Sequence, residues 1–146
     1  MTAPTRSVDV LLVEDDAGDE LITREAFEQN KIANTLHVAR DGQEGLDFLY
    51  RRGAHESAPR PDLVLLDLNL PKYDGRQLLE QIKSDPELCD IPIVVLTTSS
   101  AEEDVLRSYK LHANAYVTKP VDLDQFMSAV RQIDEFFVQV VRLPGH

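Results

Sequence analysis

Polar residues stand where each of four apolar runs in this chain stops. Glu14 and Asp15 follow VDVLLV, Asp67 closes DLVLLD, Thr97 closes IPIVVLT, and Lys119 closes NAYVTK. Gathered at one place, three carboxylates, a hydroxyl and an ammonium would hold a divalent cation and a phosphoryl group. The carboxylates need such a cation, because two unit charges about 4 Å apart repel by about 4 kcal/mol at an effective dielectric of 20. Left alone, the cluster would raise the pKa of one of its members. Mg²⁺, with Mn²⁺ as a substitute, suits the donors: it takes oxygen ligands octahedrally, keeps several waters, and relies on one or two carboxylates plus a phosphate. There are too few carboxylates for a closed Ca²⁺ cage. Zinc is disfavoured because His37, His55, His112 and His146 are scattered and Cys89 is the single cysteine. No organic cofactor is expected.

Asp67 is the best candidate nucleophile, since a carboxylate can attack phosphorus to form an acyl phosphate. Phosphoryl transfer demands mainly positioning and charge neutralisation. The cation would neutralise from one side and Lys119 from the other, while the Thr97 hydroxyl donates to a phosphoryl oxygen. A lone aspartate at a strand end is usually a helix cap. Capping does not explain four strand ends equipped in this way.

The runs themselves are short, rich in Val, Leu and Ile, and lack polar alternation, which marks strands buried on both faces of a parallel sheet. The spacing predicts strand 8–13, helix 18–30, strand 34–39, helix 42–52, strand 62–67, helix 75–84, strand 92–97, helix 101–111, strand 114–118 and helix 123–141. Such alternation implies an α/β fold, a five-stranded parallel sheet sandwiched between helices. Right-handed crossovers leave few topologies. The doubly wound, flavodoxin-like order 2-1-3-4-5 sets strands 1, 3 and 4 side by side, and ligands of such sheets bind outside the carboxyl ends of the strands. Ser100 to Glu103 has the form of a capping box, Asp122 is a plausible N-cap, and Gly53 to Pro61 reads as a polar surface loop.

The last predicted helix carries Leu123, Phe126, Met127, Val130, Ile133, Phe137, Val140 and Val141 at three- and four-residue steps. About 19 residues span about 28 Å, longer than a five-residue strand needs covered. Its distal half is therefore expected to contact another protein, a second copy of the chain above all. The resulting homodimer would be two-fold symmetric.

At 146 residues the chain suits one domain, and 42% hydrophobic composition excludes wholesale disorder. Residues 1–6 and 142–146 read as tails around a domain at 7–141. No run approaches the roughly 20 apolar residues that span a bilayer. With no signal-peptide pattern at the start and one cysteine, a cytoplasmic protein is expected. The net charge of −11, from 26 acids against 15 bases that are mostly dispersed, argues against direct nucleic-acid binding.

The motifs LLVEDD (11–16), LVLLDLNLPKYDG (63–75), IPIVVLTTSS (91–100) and NAYVTKPVD (114–122), in this order, resemble the response-regulator receiver domains of bacterial two-component signalling. The resemblance spans about residues 7–141. It implies Asp67 as phosphoacceptor, Asp15 as a direct Mg²⁺ ligand, Glu14 as a water-mediated one, and the Asn69 main-chain carbonyl as a further ligand. Thr97 becomes the switch hydroxyl, Lys119 the phosphate-binding lysine, Pro120 the partner in a cis peptide, and Tyr116 the aromatic that follows Thr97. Thr98 departs from the Ala or Ser common after the switch residue. The interval from Asp15 to Asp67 is longer than in compact receivers, and the excess falls at 51–60. That loop, TTSS after strand 4 and the long final helix resemble the stand-alone regulators of bacterial phytochrome histidine kinases.

The function implied is that of a single-domain response regulator. A sensor histidine kinase of phytochrome type, or a small acyl phosphate, would phosphorylate Asp67. The surface of helix 101–111, strand 114–118 and the final helix would then switch, and the signal would leave through a downstream protein, a phosphotransfer protein or dimer rearrangement. The protein would catalyse only its own phosphorylation and dephosphorylation. An aspartate-nucleophile phosphohydrolase would need a second aspartate where Asn69 stands. A flavodoxin-like electron carrier would not place EDDAGD beside a flavin phosphate, and an inactive pseudo-receiver would not keep the site intact.

Overall fold

The structure, a computed structural model, describes residues 8–29, 34–68, 75–97 and 115–118, together with helical positions Asp124 and Ser128. Five strands, β1 (Val8–Val13), β2 (Asn34–Ala39), β3 (Leu63–Asp67), β4 (Ile93–Thr97) and β5 (Ala115–Thr118), form one parallel sheet in the order β2-β1-β3-β4-β5. The expected topology is thus observed. Helices α1 (Ala17–Gln29), α2 (Gly42–Leu49) and α3 (Gly75–Ser84) alternate with the strands.

Burial on both faces accounts for the continuous apolar runs. Every residue of β3 and β4 is buried. In β1, Leu11 and Val13 join a core with Leu46, Phe48 and Leu49 of α2 and with Leu78, Leu79 and Ile82 of α3. Val10 and Leu12, equally inaccessible, point to the opposite face because strand side chains alternate.

Helix α2 starts as a capped element. Asp41 Oδ1 accepts from the Glu44 N–H at 2.9 Å, and Glu44 Oε1 in turn accepts from the Arg40 N–H at 2.7 Å. The expected helix 42–52 stops at Leu49, however. Arg52 N–H donates to the Asp47 carbonyl at 2.8 Å and Arg51 N–H to the Phe48 carbonyl at 3.2 Å. This bond pair is a Schellman motif, which places Arg51 at the position where the backbone turns left-handed. Its φ is indeed 56°.

The connection after α2 is more than a polar surface loop. Gly53–His55 make a 3-10 turn. His55 Nε2 lies 3.2 Å from Glu44 Oε2 and its ring packs edge-on to Phe48, while Pro61 is buried. The helices expected at 101–111 and 123–141 lie outside the described residues, apart from Asp124 and Ser128, which are helical and exposed. The capping positions Ser100 and Asp122 lie outside as well.

Candidate functional site

The register of the sheet assembles the site. Val13 of β1 pairs with Leu66 of β3, so the next residues, Glu14 and Asp67, emerge side by side at the carboxyl ends. Asp67 pairs with Leu96, which sets Thr97 one residue further along the adjacent strand, and Thr97 pairs with Thr118. Backbone bonds carry the ladder past the strand ends: Glu14 N–H donates to the Ala39 carbonyl at 2.9 Å, and Leu68 N–H to the Leu96 carbonyl at 3.1 Å. The side chains therefore rise from backbone that is already fixed.

One oxygen from each of Glu14, Asp15 and Asp67 lies within 4.8 Å of the other two. Glu14 is fully buried, Asp67 is 2% exposed and Thr97 is 1% exposed, whereas Asp15 is exposed. A group of three carboxylates with two withdrawn from water and one facing it suits an octahedral, partly hydrated cation. The set is all oxygen, which fits a hard ion such as Mg²⁺ or Mn²⁺. Among the described residues it is the one group of three or more His, Cys, Asp or Glu side chains close enough to hold a metal ion. Tyr116, on β5 beside Val95, is half-buried against the core under α2 and α3. Asn69, Lys119 and Pro120 lie outside the described residues.

Three supporting residues were not singled out by the sequence reading. Asp16 caps α1: its Oδ1 accepts from the Gly18 N–H at 2.9 Å and its carbonyl from the Glu20 N–H at 3.1 Å. Its own N–H reaches Glu14 Oε2 at 3.2 Å, so the third acid of EDD fixes the chain that carries the other two. Glu20 binds Arg40 at 2.6 Å and Arg24 at 2.9 Å, which ties α1 to the end of β2. Burial pushes the Glu20 carboxyl up, but the hydrogen bonds and charges of the two arginines outweigh it and hold the group below its usual value. Gly75 opens α3 against the backbone beyond β3, where an added Cβ would stand 2.6 Å from the Leu68 carbonyl oxygen and 2.7 Å from that of Asp67.

A sequence profile of the response regulator receiver domain matches residues 10–131. Response regulator Rcp1 of Synechocystis sp. is 46% identical over 136 residues, covering 93% of this chain and 92% of that protein. The crystal structure of the Mn²⁺-bound form of response regulator Rcp1 superposes with a TM-score of 0.75 at 45% identity, covering 94% of this chain and 99% of that one. The bacteriophytochrome response regulator AtBRR superposes with a TM-score of 0.82 at 44% identity, over 88% of this chain and 94% of that one.

Proposed function

The chain belongs to the response regulator receiver family, phosphoacceptors of two-component signalling, and from that premise we propose which residues do the work. Asp67 is the acceptor. Its carboxylate oxygen attacks the phosphorus of a kinase phosphohistidine, the P–N bond breaks, and the departing imidazole takes up a proton. A Mg²⁺ ion, or Mn²⁺ in its place, would be held by Asp15 and Asp67, by Glu14 through water, and by the Asn69 carbonyl; bound there, it screens charge that develops on the phosphoryl oxygens. Thr97 donates its hydroxyl to the transferred group, Lys119 neutralises it from the far side, and Tyr116 follows Thr97 into the altered state. The phosphoryl group shifts the two conformations by its differential affinity for them.

The observation that carries this reading is the meeting of Glu14, Asp15 and Asp67 oxygens within 4.8 Å at the ends of β1 and β3. No helix among the described residues is long and apolar enough to cross a membrane. A phytochrome-type histidine kinase as donor is supported by the likeness to Rcp1 and to the bacteriophytochrome regulator. Self-association through the final helix rests on its apolar stripe, and cytoplasmic residence on the single cysteine.

Intact-mass measurement with acetyl phosphate and MgCl₂ tests the chemistry. A single phosphoryl adduct is expected in the wild type, none in Asp67→Asn, and none with EDTA. Labelling retained in Asp67→Asn would assign the acceptor elsewhere.

A further inference from the structure

A cavity of about 480 Å³ opens at the other rim of the sheet, where strands begin: Pro61 precedes β3 and Ile91 precedes β4, and both line it. Its apolar lining includes Leu49, Leu88 and Ile91, which are 8%, 5% and 2% exposed. Two bonds brace the segments after α2 and α3 that form its walls. The Tyr50 hydroxyl donates to Asp85 Oδ2 at 2.5 Å, and Arg60 Nη1 donates to the Glu87 carbonyl at 2.6 Å. The groove is therefore preformed, and it falls within the size range of sites that take a small ligand or an anchoring side chain.

Its mouth is basic, in a chain of net charge −11. Arg51 and Arg60 line it against one acid, Glu87. Arg52, beside them, pairs with Asp47 at 3.2 Å and lies 5.1 Å over the Tyr50 ring. Arg51 differs from Arg52, because its guanidinium meets no carboxylate among the described residues. It also occupies the left-handed position of the α2 Schellman motif, which favours glycine. An arginine at a position that favours glycine, exposed at the edge of an apolar groove, points to a bound group of negative charge.

We propose that this groove docks an acidic segment of a partner protein, one that inserts a single apolar side chain between flanking carboxylates. The buried leucines and Ile91 receive the side chain, and Arg51 with Arg60 meets the carboxylates. Charge complementarity selects this occupant, since a basic segment would face two arginines at the mouth. The site is separate from the acidic rim, so it neither requires nor blocks phosphorylation of Asp67.

The test uses the ¹⁵N-labelled full chain and two pentapeptides, each with one central leucine, flanked by glutamates in one and by lysines in the other. The glutamate peptide should shift the amides of Leu49, Leu88 and Ile91, with an affinity at least tenfold above that of the lysine peptide. Arg51→Glu should lose that preference while still accepting a phosphoryl group from acetyl phosphate. Arg51→Gly, which suits the left-handed backbone, should also lose affinity while melting no lower than the wild type. Equal affinity for both peptides, shifts confined to other surfaces, or no shifts at millimolar peptide would overturn the proposal. Concentration-dependent dimerisation through the same residues without peptide would also overturn it, by making a second copy the occupant.

Discussion

Replacing Asp67 by Asn should stabilise the metal-free protein and remove most of its thermal response to Mg²⁺. Oxygens of Glu14, Asp15 and Asp67 lie within 4.8 Å of one another, where unit charges repel by about 3.5 kcal/mol at an effective dielectric of 20. Asp15 is exposed, so its share is screened toward the small values of surface pairs. Glu14 and Asp67 are withdrawn from water and keep most of theirs. Because each charge is spread over two oxygens, the relief expected from removing one is about 2 kcal/mol, or about 6 °C for a chain of this size. Magnesium at a hundred times its Kd should raise the wild type by about 2.7 kcal/mol, or about 8 °C, and the variant by less than half of that. Melts followed by circular dichroism at pH 8 should show the variant ahead in EDTA and the two chains together in excess MgCl₂. Equal melting in EDTA with parallel gains in magnesium would refute the idea that these carboxylates share one charged pocket.

Gly75→Ala should destabilise the protein by about 1–2 kcal/mol in urea titrations, because overpacking against backbone outweighs the helix propensity gained. It should also slow labelling of Asp67, whose carbonyl is one of the atoms the new methyl meets. Asp41→Ala removes the α2 cap and should cost about 1 kcal/mol with no change in labelling; a slower labelling rate would tie this cap to the acidic rim. Tyr50→Phe should flatten the stability profile at both ends. The bond to Asp85 holds the tyrosine above its ordinary 10.0, so its contribution is full below that pH and is lost as pH rises through the higher folded value. The same bond holds Asp85 below 3.8, so its contribution is present above that pH and is lost as pH falls through the lower folded value. Urea midpoints that keep their dependence in both windows would show that the hydroxyl bond carries none of it.

The sheet and the acid rim were legible because burial on both faces leaves a simple mark. A strand such as Leu63–Asp67 is apolar to its last residue, so the polar residue that ends it is conspicuous. Asp16 was less visible, since nothing in EDD separates an acid that caps a helix from acids that face a cation; only the bond to Gly18 does so. The Asp41 to Glu44 spacing has the form of a capping box and could have been read. The end of α2 could not, because Schellman motifs are signalled by glycine and Arg51 holds that place. The role of Gly75 arises from contact with Leu68, which depends on how α3 packs and not on local pattern.

The site's precision follows from where its residues are attached. Glu14 and Asp67 each leave a strand whose neighbours on both sides are hydrogen-bonded, and the bonds from Glu14 to Ala39 and from Leu68 to Leu96 continue that ladder one residue beyond the strands. A one-residue slip of β1 against β3 would turn Leu11 and Val13 from the core under α2 and α3 to the opposite face, and would move Glu14 away from Asp67 in the same step. The register that buries the apolar residues is thus the one that brings the carboxylates together. Repulsion among the acids works against that register, and the packing of β1, β3 and β4 must exceed it whenever no cation is bound. The protein therefore folds with Glu14, Asp15 and Asp67 already brought together at the ends of β1 and β3.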